Sequence, residues 1–93
     1  MNAPAAVRVE TLIDEIAARR PDHPALIYGD RCWTYVALQE EMNRRAAVLI
    51  VHGLAPNDVV ATTEPTTDDL AITFLACCRA DLTFVALSSK LAP

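Results

Sequence analysis

Apolar residues recur at Val9, Leu12, Ile13, Ile16 and Ala17, the i, i+3, i+4, i+7, i+8 stripe of an amphipathic helix. Glu10, Asp14 and Glu15 come early and Arg19 and Arg20 late, an order that suits a helix dipole, and Pro21 ends the run. The pattern then shortens to two apolar runs, Ala25 to Tyr28 and Cys32 to Trp33, around Gly29-Asp30, which predicts a small hairpin. Thr34 is placed to cap a helix whose inward stripe is Tyr35, Leu38, Met42, Ala46 and Leu49. On its wet face Glu40 and Arg44, and Glu41 and Arg45, stand four apart in the favourable order. Gly53 is the expected left-handed residue that closes it.

The second half alternates strand, helix, strand. Asp58 to Thr63 reads as a strand, and Thr66 or Thr67 as the cap of a helix opening on Asp68 and Asp69. Leu82 to Leu87 reads as the next strand. This spacing predicts a right-handed βαβ crossover with parallel strands. The expected fold is α/β: a β-hairpin plus helices and one such crossover. Two segments look too apolar for so short a chain. Leu70 to Cys78 is apolar nearly all round, which predicts a helix buried on every side. Leu82 to Leu87 is apolar except Thr83, as in a parallel strand covered on both faces. Three helices and a hairpin cannot cover both faces, so the chain is expected to be an incomplete portion of a larger domain.

Composition narrows the class. The 93 residues hold one small domain at most, and an apolar share of 53% excludes disorder. Net charge is −4, and the seven arginines are scattered rather than striped, which argues against nucleic acid as a partner. No segment has the length of a membrane span or the layout of a secretion signal. Cys32, Cys77 and Cys78 show neither a Cys-x-x-Cys pair nor a Cys/His cluster. They read as small buried hydrophobes in a reducing, cytoplasmic setting.

Taken in order, the segments resemble the N-terminal part of the adenylate-forming (AMP-binding) superfamily: acyl- and aryl-CoA ligases, fatty-acyl-AMP ligases, peptide-synthetase adenylation domains and luciferase. The resemblance rests on Thr34-Tyr35, Leu38, Asn43, Arg44, Gly53-Leu54, Asp58-Val59 and Ala76, in register from about Thr11 onward. Three positions depart from the family pattern: Asn57 and Asp81 stand where glycine is usual, and Ala86 where proline is usual. Asn57 and Asp81 are therefore the expected places of local backbone strain.

The resemblance implies ATP- and magnesium-dependent activation of a carboxylic acid as an acyl-adenylate, followed by transfer to coenzyme A or a carrier phosphopantetheine. None of the family's functional residues falls on this chain, so no catalytic, cofactor-binding or metal residue is assigned. The only glycines are Gly29 and Gly53, too few for a phosphate loop. Lys90, in the terminal Ser-Ser-Lys stretch, has a phosphate loop's lysine without its glycines and reads as an exposed turn. His23 and His52 lack a visible partner, Cys77-Cys78 lies in apolar surroundings, and Asp68-Asp69 is explained by the helix dipole rather than by a metal. Trp33 beside Tyr35 is explained more economically by hairpin packing than by a stacking platform. The expected role is an N-terminal scaffold of an ATP-dependent acyl-CoA ligase, inactive alone and with no cofactor of its own, partnered by the remainder of that enzyme. Two alternatives stand: a peptide-synthetase or fatty-acyl-AMP-ligase parent, and a non-catalytic module that self-associates through apolar surface.

Overall fold

A computed structural model of the chain describes residues 8–63 and 65–87. The element order is α1 (Val9–Arg19), β1 (Pro24–Tyr28), β2 (Arg31–Thr34), α2 (Tyr35–Val51), β3 (Val59–Thr62), α3 (Asp68–Arg79) and β4 (Thr83–Ala86). β1 and β2 form an antiparallel hairpin with a register shift between Pro24 and Leu26. Its two-residue loop carries a positive φ at Gly29 (60°) and not at Asp30, as in a II′ turn. β3 and β4 pair in parallel through α3, with Val59 opposite Thr83 and Ala61 opposite Val85. The α/β architecture read from the sequence is the architecture observed.

The helix ends account for their own backbone groups. Thr34 Oγ1 accepts from Ala37 N–H at 3.2 Å. The amides of Tyr35 and Val36 donate to the carbonyls of His23 and Pro21, so the α1–β1 loop satisfies the free donors of α2's first turn. At its other end Leu54 N–H bonds Leu49 C=O and Gly53 N–H bonds Ile50 C=O, a Schellman pair around Gly53 at φ 94°. The same pair closes α3: Leu82 N–H reaches Cys77 C=O and Asp81 N–H reaches Cys78 C=O, with Asp81 at φ 59°. Asn57, at φ 73°, is the third residue of an Ala55–Asp58 turn closed by Asp58 N–H to Ala55 C=O, with Pro56 ahead of it. Both positions singled out for strain are thus left-handed, and Asn57 N–H donates to Asp81 C=O at 2.8 Å, so the two meet. Glycine at Asn57 should raise stability by about 0.5 kcal/mol, because relief of the left-handed cost outweighs the added unfolded-state entropy. Urea titration of Asn57→Gly checks this, and a loss of stability would refute the strain reading.

The core has two buried clusters. Ile13, Leu38, Met42, Ile72 and Leu75 join all three helices, with Leu26, Trp33 and Tyr35 packed against them. Ala46, Ala76, Cys77, Ala80 and Leu82 form the second, backed by Leu49, Leu54, Val60 and Phe84. Alanines at the α2–α3 contact let the two helices approach closely.

Several expectations are corrected. On α1 the buried line is Glu10, Ile13 and Ala17, while Val9 is exposed and Leu12 is 43% exposed. The contact with α2 and α3 is narrower than the apolar stripe, and an ion pair with Arg8 lets Glu10 enter it. α3 is not buried on every side: Phe74 is 42% exposed, touching Phe84 edge-on with ring centroids 5.6 Å apart. β4, by contrast, is covered on one face only, the side of Val60 and Phe84, as expected where three helices and a hairpin cannot cover both. Arg44 pairs with Glu41, not Glu40; the expected Glu41–Arg45 pair does form, at 3.2 Å, and Arg45 reaches beyond it to Asp69 on α3. Thr67 occupies the cap position of α3 without a side-chain cap bond.

Candidate functional site

The most concentrated polar chemistry lies where the hairpin meets the start of α3. Arg31 and Trp33 are two apart on β2 and so point the same way. Both reach Asp68, whose Oδ1 accepts from Arg31 at 2.6 Å and whose Oδ2 accepts from Trp33 Nε1 at 2.9 Å. The Asp69 amide adds a third donor, at 3.1 Å. Asp68 is 1% exposed, and three donors converge on its one carboxylate. The Trp33 hydrogen bond first, and then the Arg31 charge, hold its carboxyl below the usual range against the opposing effect of burial. Arg31 also lies over the Tyr28 ring, 5.4 Å from its centroid.

A second network runs along the α2–α3 seam. Arg45 donates to Glu41 at 3.2 Å, to the Asp69 carboxylate at 2.8 Å and to Thr73 Oγ1 at 3.2 Å. With Arg44 also donating, Glu41 is pushed down to about 2. A third ties α1 to the others: Asp14 accepts from Arg79 at 2.5 Å and Gln39 at 2.8 Å. The fourth is a clasp in which Arg8 pairs with Glu10 and with Asp81 and donates to the Cys78 carbonyl.

These arrangements hold elements together. A cleft of about 590 Å³ runs between the start of α1 and the Asn57–Asp81 contact. Its one lining cation, Arg8, is already engaged by two carboxylates. Among the described residues no group of three His, Cys, Asp or Glu side chains could hold a metal. The first amides of α2 are taken up by carbonyls. Among the described residues, this cleft and the first turn of α2 thus offer no free cation or amide to a triphosphate.

The residues singled out from sequence do not gather into one site, although Trp33 meets Asp68 and His23 meets Tyr35. His23 stacks on Tyr35 with centroids 6.2 Å apart, and His52 Nδ1 sits 2.9 Å from the Val48 carbonyl at the end of α2. Cys77 is buried, and burial pushes its thiol up, as it does that of Cys78. Cys32 is exposed, against the expectation of a buried hydrophobe. Lys90 lies outside the described residues. The dipole account of Asp68-Asp69 is incomplete: one carboxylate anchors the hairpin and the other pairs with Arg45. Trp33 packs as expected against the core, and its bond to Asp68 was missed. The available signal was a buried indole N–H needing an acceptor, beside an arginine on the same strand face.

Residues 13–93 match the family described as AMP-binding enzyme. The chain belongs to that family. Surfactin synthase subunit 1 of Bacillus subtilis is 32% identical over 79 residues, covering 85% of this chain and 2% of the relative. A CoA ligase of Mycobacterium tuberculosis, named for a methyl-dioxo-octahydroindenyl propanoyl substrate, is 34% identical over 82 residues, covering 88% of this chain and 16% of the relative. In structure, the Klebsiella oxytoca NpsA N-terminal subdomain, solved in complex with 3-hydroxyanthranilyl-AMSN, superposes with a TM-score of 0.84 at 34% identity, over 95% of this chain and 22% of that one. This AMP-binding chain thus spans a small fraction of the relatives it matches, and its fold is that of a portion of the NpsA N-terminal subdomain.

Proposed function

We propose that the chain is the first scaffold layer of an ATP-dependent adenylation domain of the peptide-synthetase kind, inactive without the remainder of that domain. In this reading the phosphate loop, the acid pocket and the C-terminal domain belong to other parts of the enzyme, and the acceptor is a carrier-bound phosphopantetheine thiol in a cytoplasmic setting. The observation that carries it is the superposition on the NpsA subdomain over 95% of the chain at 34% identity. The ion pairs that tie α1, α2, α3 and the hairpin to one another support a scaffold role. The acyl-CoA ligase preferred on sequence grounds is the second reading, favoured by the 34% identity to the mycobacterial ligase.

Grafting discriminates the two. The chain replaces the matching stretch of complete NpsA in one chimera and of the mycobacterial ligase in another. ATP–pyrophosphate exchange should survive within about tenfold, or ~1.4 kcal/mol of barrier, in the NpsA graft and fall further in the ligase graft. The 93-residue chain by itself should show no exchange. A folded but inactive NpsA graft, or exchange by the chain alone, counts against the proposal.

A further inference from the structure

Five of the seven arginines are ion-paired: Arg8 with Glu10 and Asp81, Arg31 with Asp68, Arg44 with Glu41, Arg45 with Glu41 and Asp69, and Arg79 with Asp14. Arg19 and Arg20 are the two that find no carboxylate among the described residues. They are adjacent at the end of α1, both exposed, and they line one cleft of about 430 Å³ with Ile16, His23 and Tyr35. Acids stand close along the chain, Glu15 one turn before Arg19 in the favourable order and Asp22 two residues after Arg20. Neither forms an ion pair with them. The negative end of the helix dipole accounts for a cation here, but not for two left unpaired around a cleft. In the same cleft the His23 and Tyr35 rings stack, 14° from parallel, and Ile16 is half-buried. Exposed positive charge is thus joined to an aromatic and apolar wall.

We propose that this cleft docks a short acidic segment of a separate polypeptide, whose carboxylates pair with Arg19 and Arg20 and whose apolar residue lies against Ile16 and Tyr35. Charge selects this occupant. The planar guanidinium fork matches a carboxylate, and two forks side by side match two of them. A single exposed ion pair contributes too little to hold a small monoanion, whereas several carboxylates on one chain act together. Two cations on a chain of net charge −4 are too few to hold nucleic acid. That net charge also repels a uniformly acidic protein. A short segment meets only the local field, because salt confines the rest to about 10 Å. A second copy does not supply such a segment. Its described acids outside ion pairs are Glu15, Asp22, Asp30, Glu40 and Asp58, and no two of them are adjacent. Such a surface adds partner binding to the scaffold role and is independent of which enzyme that scaffold serves.

The test titrates the free chain and the NpsA graft into a short fluorescein-labelled peptide of glutamate, aspartate and leucine, read by fluorescence anisotropy. Both proteins should bind it, and Arg19→Ala/Arg20→Ala should weaken binding about tenfold in each. Arg19→Lys/Arg20→Lys should lose less, because the charge remains and only the planar fork goes. Arg44→Ala removes an exposed arginine outside the cleft and should leave binding within about twofold. Melting temperatures, which exposed positions change little, establish that each variant is folded. A peptide with glutamine and asparagine in place of the acids should not bind. Unchanged affinity in Arg19→Ala/Arg20→Ala, or an equal loss in Arg44→Ala, overturns the proposal. So does binding by the free chain that disappears in the graft, since the cleft would then be closed in the complete domain. Tighter binding of tripolyphosphate or of an RNA oligonucleotide than of the acidic peptide would assign the cleft to another anion and overturn it as well.

Discussion

Truncating Ile72 to alanine should cost about 2–5 kcal/mol, the range for removing a fully buried branched side chain and leaving a cavity. Ile72 is completely buried at the point where all three helices and the hairpin meet, with Met42, Leu38, Ile13 and Leu75 around it. These neighbours belong to all three helices, with Leu26 and Trp33 of the hairpin packed against the same cluster, so the surroundings cannot close on the space by moving one element. A domain of this size holds on the order of 5–14 kcal/mol at best, and the bare outer face of β3 and β4 keeps the chain toward the lower end. The variant should therefore populate unfolded molecules at 25 °C. Urea titration followed by the fluorescence of Trp33, the only tryptophan, measures it. Phe74→Ala is the matched comparison. Phe74 keeps 42% of its surface in solvent, and its loss should cost about 1–2 kcal/mol, mainly the edge contact with Phe84. Equal losses at the two positions would show that the three-helix junction is not the centre of the core.

What could be read from the pattern of residues was local. The Thr34 cap, the Gly53 stop, the stripe of α2 and the parallel strands each depend on neighbours within a few positions, and each is observed. Asn57 and Asp81 were also legible, because a left-handed turn residue leaves a mark in residue type. Features set by how elements meet were not. The apolar stripe of α1 is wider than the surface available to bury it, so Val9 and Leu12 stay in solvent while Glu10, held by Arg8, goes in. The helical spacing of Glu40 and Arg44 allows a pair, yet Arg44 binds Glu41, and Arg45 is drawn across to Asp69 on another helix.

The same limit applies to polar chemistry. Asp68 and Asp69 stand together at a helix start, where a dipole effect is an adequate local account. Their long-range roles involve Arg31 and Trp33, 37 and 35 positions away, and Arg45, 24 positions away. No spacing rule reaches that far. Composition could show that one lysine and two glycines do not make a phosphate loop. It could not show that Arg8, Arg31, Arg44, Arg45 and Arg79 are spent on internal carboxylates.

Replacing Asp68 with asparagine should detach the hairpin from α3. Two donors, Arg31 and the Trp33 indole N–H, converge on separate oxygens of one carboxylate. An amide offers a single oxygen and places an NH₂ group against one of those donors, leaving a buried polar mismatch and an unpaired arginine. The expected result is a melting temperature lowered by roughly 10 °C, with red-shifted and more quenchable Trp33 emission. Trp33→Phe alone should destabilise less, and the double variant should lose less than the sum, since both changes remove one bond. Acid reads the same contact. The carboxyls of Asp68, Asp14 and Glu41 are all lowered in the folded chain, Glu41 to about 2. A lowered carboxyl stabilises fully above its unfolded value, here 3.8 for the aspartates and 4.5 for Glu41, and that stability is lost as pH falls through the folded value. The chain should therefore hold its stability down to about pH 5 and lose it progressively toward pH 2. Asp68→Asn, which has no proton to take up at that position, should begin lower and fall less steeply. A variant whose acid profile runs parallel to that of the parent would show that Asp68 is not ionised in the folded chain, and that the hairpin is held by the packing of Trp33 alone.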